Sequence, residues 1–165
     1  MAQRQLLAAE HGELTRELAA VLLPQFLEEL AGFYRHHELA RGRTIELRPV
    51  DRLSIMTDPT LLRRVLGNLV KNALEATPEG GAVTIGAALE RGHVRLTVHN
   101  PGSMAAEVQG QIFHRSFSTK PGSGRGIGTH SARLLTERYL GGKVSFTSDE
   151  AEGTTFTVAL PLGQG

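Results

Sequence analysis

The sequence contains no cysteine and no tryptophan, and only 5% of its residues are aromatic. Without cysteine the chain has no disulfide, no thiolate metal site and no thiol nucleophile. Its net charge of +1 gives no indication of binding to nucleic acid or to an anionic membrane. The longest apolar runs are far shorter than the ~20 residues of a transmembrane helix, and the N-terminal stretch is too polar for a signal peptide. We therefore expect no nucleic-acid partner and no direct membrane contact.

The 165 residues, of which 40% are hydrophobic, suffice for one domain with a single core. We assign residues 14–165 to this domain and residues 1–13 to the tail of an upstream helix or a linker. Hydrophobic periodicity predicts helices over residues 22–38, 58–77 and 126–140. It predicts strands over residues 14–18, 44–49, 53–57, 82–90, 93–99, 143–148 and 154–160. This order indicates an α+β fold, a two-layer sandwich with helices on one face of a mixed, mostly antiparallel sheet.

The central predicted helix, residues 58–77, has a strong start signal and two distinct faces. Asp58 is a favourable N-cap, and Pro59 suits the first helical turn, where an N–H has no partner. The apolar face repeats at helical spacing and comprises Leu61, Leu62, Val65, Leu66, Leu69 and Ala73. This pattern predicts a helix whose apolar face is buried in the core.

Two asparagines lie beside that apolar face. Asn68 and Asn72 are four residues apart, so both project from one edge of the helix. An asparagine oxygen is a neutral, hard ligand suited to Mg²⁺, which keeps few protein ligands and takes the rest from water and phosphate. The alternative is two surface amides near a helix end.

Two glycine clusters are the other candidate binding elements. Asn100, Pro101 and Gly102 follow a strand, where a fixed polar side chain and a glycine can admit a flat ligand; an ordinary turn is the alternative. The second cluster, residues 122–128, opens directly into a helix. Consecutive glycines there let N–H groups converge on an anion, and the helix N-terminus adds positive potential. No Gly-Lys-Ser/Thr follows, so this is not a Walker A loop.

Residues 101–125, between these clusters, show weak periodicity and are interrupted by glycine and proline. Connections inside compact domains rarely exceed ~12–15 residues without a function. We interpret this segment as a lid, with plain disorder as the alternative.

Taken together, these motifs resemble the ATP-binding catalytic domain of sensor histidine kinases, within the superfamily that includes gyrase, Hsp90 and MutL. The similarity runs from about residue 14 to residue 162. NLVKNALEA (residues 68–76) resembles the N box, and Asn100-Pro101-Gly102 lies at the G1 box. IFHRSFSTK (residues 112–120) resembles the F box, and residues 124–128 lie at the G2 box. The resemblance implies a Bergerat-type ATP-binding fold with ATP and Mg²⁺ as cofactors.

The resemblance also implies a role for each motif residue. Asn72 would ligate Mg²⁺ through ATP, with Asn68 and Lys71 beside the metal or the phosphates. Asn100 and Gly102 would hold the base. The implied lid and phosphate-binding residues are Phe113, Phe117, Lys120, Gly124, Arg125, Gly126 and Gly128. Phe113 and Phe117 would anchor the lid by apolar contact, or else be ordinary core aromatics.

The sequence departs from the family pattern at three places. Asn100 stands where the family usually has aspartate, whose carboxylate accepts a hydrogen bond from the adenine amino group. An asparagine carbonyl can also accept that bond, but its amide could donate to guanine instead. Met104 replaces the second G1 glycine, and Glu75 stands where many relatives have a basic residue.

Asn68 bears on the type of reaction. ATPases of the superfamily place a glutamate four residues before the metal-binding asparagine, where it activates water as general base. An amide cannot take up a proton, so Asn68 favours phosphoryl transfer to a delivered nucleophile over hydrolysis. A nucleotide-binding module or an ATPase of the same superfamily, without histidine kinase activity, is the alternative. A Ser/Thr kinase of the anti-sigma type is weaker still.

The phosphoacceptor histidine of such a kinase lies on a separate dimerisation domain. His37-Glu38 is the only dipeptide here that resembles its motif, and it lies at a predicted helix end rather than opening a long helix. We therefore expect the partners to be an upstream dimerisation domain outside this chain and, through it, a response regulator. The expected location is cytoplasmic, which is also compatible with a membrane-anchored parent protein.

Overall fold

The computed structural model describes residues 15–112 and 125–162, with only the backbone of residues 125–128. That part of the chain contains four α-helices and seven strands. The helices are α1 (Leu23–Arg35), α2 (Pro59–Ala76), α3 (Ala106–Gln109) and α4 (Arg125–Arg138). The strands are β1 (Ala19–Leu22), β2 (Thr44–Leu47), β3 (Ser54–Thr57), β4 (Ala82–Glu90), β5 (His93–Asn100), β6 (Lys143–Asp149) and β7 (Gly153–Pro161). A short 3₁₀ turn, Glu38–Ala40, follows α1.

The main sheet has five strands in the order β2-β4-β5-β7-β6. Strand β2 pairs with β4 in parallel, and every other neighbouring pair in this sheet is antiparallel. Helix α2 packs against α1, α4 and strand β5, with its apolar face in the core. The predicted class, an α+β sandwich with a mixed, mostly antiparallel sheet, is confirmed. None of the helices in residues 15–112 and 125–162 is both long and apolar enough to span a bilayer.

The prediction for the first strand was wrong in position. Residues 15–18 are exposed and irregular, whereas β1 covers Ala19–Leu22 and pairs with β3 in a separate two-stranded sheet. The register explains the shift, because Val21 lies opposite Ile55 and both side chains are buried. The backbone N–H of Glu17 instead donates to the Asp58 carboxylate at 2.7 Å. A single sheet is predicted from the sequence, whereas the structure has a separate two-stranded sheet of β1 and β3.

The start of α2 follows the sequence signal closely. Asp58 is 4% exposed, and its Oδ1 accepts a hydrogen bond from the N–H of Leu61 at 3.0 Å. Its Oδ2 accepts the bond from Glu17. One carboxylate therefore caps the helix and ties down the chain that precedes β1, which fixes where the central helix begins.

Gly67 permits the close packing of α1 against α2. A Cβ at this position would overlap the hydroxyl oxygen of Tyr34 on α1. Gly→Ala inside a helix ordinarily stabilises by about 1 kcal/mol. We expect Gly67→Ala to destabilise this protein by ~1–3 kcal/mol instead, because the overlap forces a shift in a packed interface.

Urea unfolding of a double-mutant cycle with Tyr34→Phe measures this effect. Removing the Tyr34 hydroxyl should make Gly67→Ala nearly neutral or stabilising. An equal loss of stability in both backgrounds would show that the hydroxyl is not the obstacle.

Candidate functional site

A cavity of about 70 Å³ lies between α2 and the loop after β5. Asn72 of α2 and Asn100, the last residue of β5, both line it, and both are buried. Gly102 and Met104 form the loop side of the cavity, and Thr154 lies at the start of β7. The fold therefore brings together two amides that are far apart in the sequence.

Asn100 is held by a local hydrogen bond. Its Nδ2 donates to the carbonyl oxygen of Pro101 at 2.7 Å, and its backbone lies opposite Thr154 in the antiparallel pair β5–β7. No described residue donates to its side-chain oxygen. With one amide hydrogen already used, the group is oriented so that its carbonyl oxygen serves as an acceptor.

A chain of hydroxyl groups fixes the loop after Asn100. The N–H of Met104 donates to Ser148 Oγ at 2.7 Å, and Thr154 Oγ1 donates to the carbonyl of Gly102 at 2.8 Å. The two hydroxyl oxygens are 2.8 Å apart. Because Thr154 gives its proton to Gly102, Ser148 must be the donor between them. Sequence reasoning missed both residues, since a serine and a threonine in strands carry no distinctive motif.

A larger groove of about 480 Å³ lies between α1 and α2. Asn68 and Lys71 line this groove rather than the cavity that holds Asn72. Four residues of helix separate Asn68 from Asn72, a rise of about 6 Å. The two asparagines, expected to act at one site, thus line two adjoining spaces along the same helix. A complete small-molecule site usually occupies about 300–1,000 Å³. The 70 Å³ cavity is smaller than this range, and the 480 Å³ groove lies within it.

The remaining predicted residues belong to the lid and to the start of α4. The structure places the short helix α3 within the predicted lid. Gly102 has φ +94°, a left-handed conformation that favours glycine. Arg125, Gly126 and Gly128 lie in the first turn of α4. Four predicted lid and phosphate-binding residues lie outside the described part of the chain, namely Phe113, Phe117, Lys120 and Gly124.

The oxygen donors at the cavity suit a divalent cation that needs few protein ligands. Among residues 15–112 and 125–162 there is no cluster of three or more histidine or carboxylate side chains, so an all-protein metal cage is absent from that region. Mg²⁺ does not need one, because it commonly binds through one or two protein oxygens plus phosphate and water. The buried amide of Asn72 fits that role.

The fold is an α+β sandwich in which two buried amides from distant parts of the chain meet at one cavity. The family model for histidine kinase-, DNA gyrase B- and HSP90-like ATPases matches residues 57–164. This match covers the central helix, the cavity and both closing strands. The chain belongs to this family, and its relatives identify it as a catalytic domain of the histidine kinase type.

Sensor histidine kinase CusS of Escherichia coli K12 is 33% identical over 163 residues, which cover 94% of this chain and 33% of that protein. The chain thus spans about a third of the length of this curated relative. The nucleotide-free catalytic domain of histidine kinase ThkA superposes with a TM-score of 0.77 at 28% identity, covering 89% of this chain and 97% of that domain. ThkA in complex with the response regulator TrrA has the same fold, with a TM-score of 0.79 at 24% identity; the superposition covers 98% of this chain and 46% of the ThkA chain.

Proposed function

We propose that this domain binds ATP with Mg²⁺ and transfers the γ-phosphoryl group to a histidine on a separate dimerisation domain. The observation that carries the proposal is the meeting of two buried asparagines, Asn72 and Asn100, at one cavity. Asn100 would accept a hydrogen bond from the adenine amino group. Asn72 would hold the metal, and Asn68 and Lys71 would follow along α2 in the direction of the phosphates.

In this reaction an imidazole nitrogen of the delivered histidine attacks the γ-phosphorus. A new N–P bond forms, the bond to the oxygen bridging the β- and γ-phosphates breaks, and ADP leaves. Mg²⁺, when bound, would neutralise the charge on the β- and γ-phosphate oxygens. The protein's own contribution is to position the nucleotide and to supply cationic groups, among which Lys71 lines the groove. A response regulator would then receive the phosphoryl group from the dimerisation domain.

Hydrolysis by this domain alone is the competing function. An efficient hydrolase needs a base that takes a proton from water, and the amide of Asn68 cannot do so. The groove does contain one carboxylate, Glu29, but that side chain is exposed at the rim. A nucleotide-binding module without catalysis would retain the same cavity, so binding alone does not separate these functions.

The test uses a fluorescent ATP analogue, γ-labelled ATP and a dimerisation-domain hairpin from the parent protein. We expect Mg²⁺-dependent binding, labelling of the hairpin histidine, and little phosphate release without the hairpin. Rapid phosphate release from the domain alone would favour the hydrolase. Binding with no transfer to the hairpin would favour the non-catalytic module.

Asn100→Asp is expected to sharpen the preference for ATP over GTP, because a carboxylate only accepts hydrogen bonds and cannot donate to the guanine carbonyl. The substitution would also remove the hydrogen bond that Asn100 Nδ2 donates to the carbonyl oxygen of Pro101. A carboxylate oxygen would then face that carbonyl oxygen, and the two would repel each other. The empty domain should therefore lose about 1–3 kcal/mol of stability. The ratio of the ATP and GTP dissociation constants is the measurement, since partial unfolding cancels from it. An unchanged ratio would remove Asn100 from the base pocket.

A further inference from the structure

The groove between α1 and α2 has an excess of positive charge. Arg63, Arg64 and Lys71 line it, against the single carboxylate of Glu29. Phe33 and Tyr34 of α1 form its apolar side. Such a groove favours an anionic ligand that can also lie against an aromatic surface.

Arg64 differs from the other two cations in its surroundings. Its side chain is half-buried, and its Nε is fully enclosed yet makes no hydrogen bond within the described part of the chain. None of the described carboxylates forms an ion pair with it. Because the enclosed Nε cannot contact a ligand, an anion in the groove would bind the terminal Nη groups of Arg64, whose charge no described carboxylate neutralises.

Tyr34 and Arg64 line the same groove and influence each other electrostatically. The Tyr34 hydroxyl occupies the space beside Gly67. Burial raises the pKa of this hydroxyl, and the nearby positive charge of Arg64 opposes that rise. Arg64 itself lies about one helical turn before Asn68 on α2. Arg64, Asn68 and Asn72 follow one another at intervals of four residues, so they lie along one edge of the helix.

We propose that Arg64 binds the terminal phosphate group of the nucleotide in the groove between α1 and α2. The inference rests on the proposed function, in which the base lies at Asn100 and the metal at Asn72. A nucleotide that runs along α2 from the cavity towards the groove brings its last phosphate to the Arg64 end. The planar guanidinium can then donate two parallel hydrogen bonds to phosphate oxygens. The ligand class is a nucleoside triphosphate, and the contact distinguishes it from the diphosphate.

Arg64→Gln tests the contact, with Arg63→Gln as the matched control. Arg63 is the adjacent residue in the same groove, it is exposed, and its guanidinium carbon lies 5.7 Å from the centre of the Phe26 ring. Each variant removes one positive charge from the groove. Dissociation constants for Mg-ATP and Mg-ADP are measured for both variants and for the parent domain.

We expect Arg64→Gln to weaken Mg-ATP binding by about 10–100-fold and Mg-ADP binding by less than about 2-fold, since a hydrogen bond to a charged group is lost only for ATP. Arg63→Gln should weaken both nucleotides equally and slightly. If Arg64→Gln weakens both nucleotides equally, or has the same effect as Arg63→Gln, the specific contact is refuted.

A direct measurement avoids any effect of the substitution on folding. The guanidinium N–H resonances of Arg64, assigned with Arg64→Lys, should shift in the NMR spectrum with Mg-ATP and not with Mg-ADP. No shift with Mg-ATP overturns the proposal. Failure of this inference is distinguishable from failure of the proposed function. If the parent domain binds Mg-ADP but the Arg64 result is negative, nucleotide binding at the cavity is upheld and only the Arg64 contact is refuted. If the parent domain binds neither Mg-ATP nor Mg-ADP, both the Arg64 contact and the proposed function are refuted.

Discussion

Asn72→Ala is expected to abolish Mg²⁺-dependent nucleotide binding, with an affinity loss of at least about 100-fold, because even residues that only support a metal ligand cost 10–100-fold when replaced. Asn72 is 6% exposed and lines the cavity beside Asn100. No cluster of carboxylates or histidines among the described residues could replace its oxygen. Isothermal titration with ATP, in Mg²⁺ and in EDTA, measures the loss.

Asn72→Asp provides the matched control for this substitution. It has nearly the same shape and keeps an oxygen ligand, so it should retain Mg²⁺-dependent binding. The circular dichroism spectrum and the melting temperature of both variants show whether the domain still folds, since a buried amide is lost in each. If Asn72→Ala binds Mg-ATP as tightly as the parent domain, the metal assignment is wrong.

We expect Gly153→Ala to lower the free energy of unfolding strongly, because it strains the turn of the hairpin formed by β6 and β7. Gly153 has φ +81°, and a Cβ there would lie 2.5 Å from the carbonyl oxygen of Asn100 and 3.2 Å from Cα of Pro101. The left-handed backbone costs roughly 1–2 kcal/mol for alanine. Displacing the backbone of Asn100 adds roughly 1–3 kcal/mol. The substitution would also move the amide of Asn100, which we propose binds the base, so nucleotide affinity should fall along with the free energy of unfolding.

Gly92→Ala separates the cost of the left-handed backbone from the cost of displacing Asn100. Gly92 lies in the turn between β4 and β5 with φ +78°, and a Cβ there meets no atom within 4 Å. The Gly92→Ala variant therefore has the cost of the left-handed backbone but leaves Asn100 in place. We expect Gly92→Ala to lower stability by about 1–2 kcal/mol without changing nucleotide affinity. Equal losses of affinity in the two variants would show that Gly153 does not act through Asn100.

The hairpin formed by β6 and β7 therefore supports the cavity. His99 Nε2 lies 2.7 Å from the carbonyl oxygen of Glu152 in its turn. Ser148 and Thr154 hold the loop that contains Gly102 and Met104. Met104 stands where the family has a second glycine, and its backbone N–H is anchored to Ser148. A loop fixed in this way presents Asn100 in one orientation.

Local signals predicted the central helix well. Asp58, Pro59 and the spacing of leucines and valines act within a few turns of chain, so both the cap and the buried face of α2 agree with the structure. The hairpin of β4 and β5 was equally predictable, because its alternation and its Arg91-Gly92 turn are adjacent in sequence. The α+β class and the order of the family motifs followed from the same information.

The sequence by itself determined most of the elements, their order and the identity of the two amides at the cavity. The tertiary structure alone decided the parallel pairing of β2 with β4, the separate ribbon of β1 and β3, and the division of Asn68 and Asn72 between two spaces. The physical reason is that helical and strand periods fix which side of an element a residue occupies. Which neighbour covers that side depends on packing between segments distant in the chain, as Tyr34 against Gly67 and Thr154 against Gly102 show.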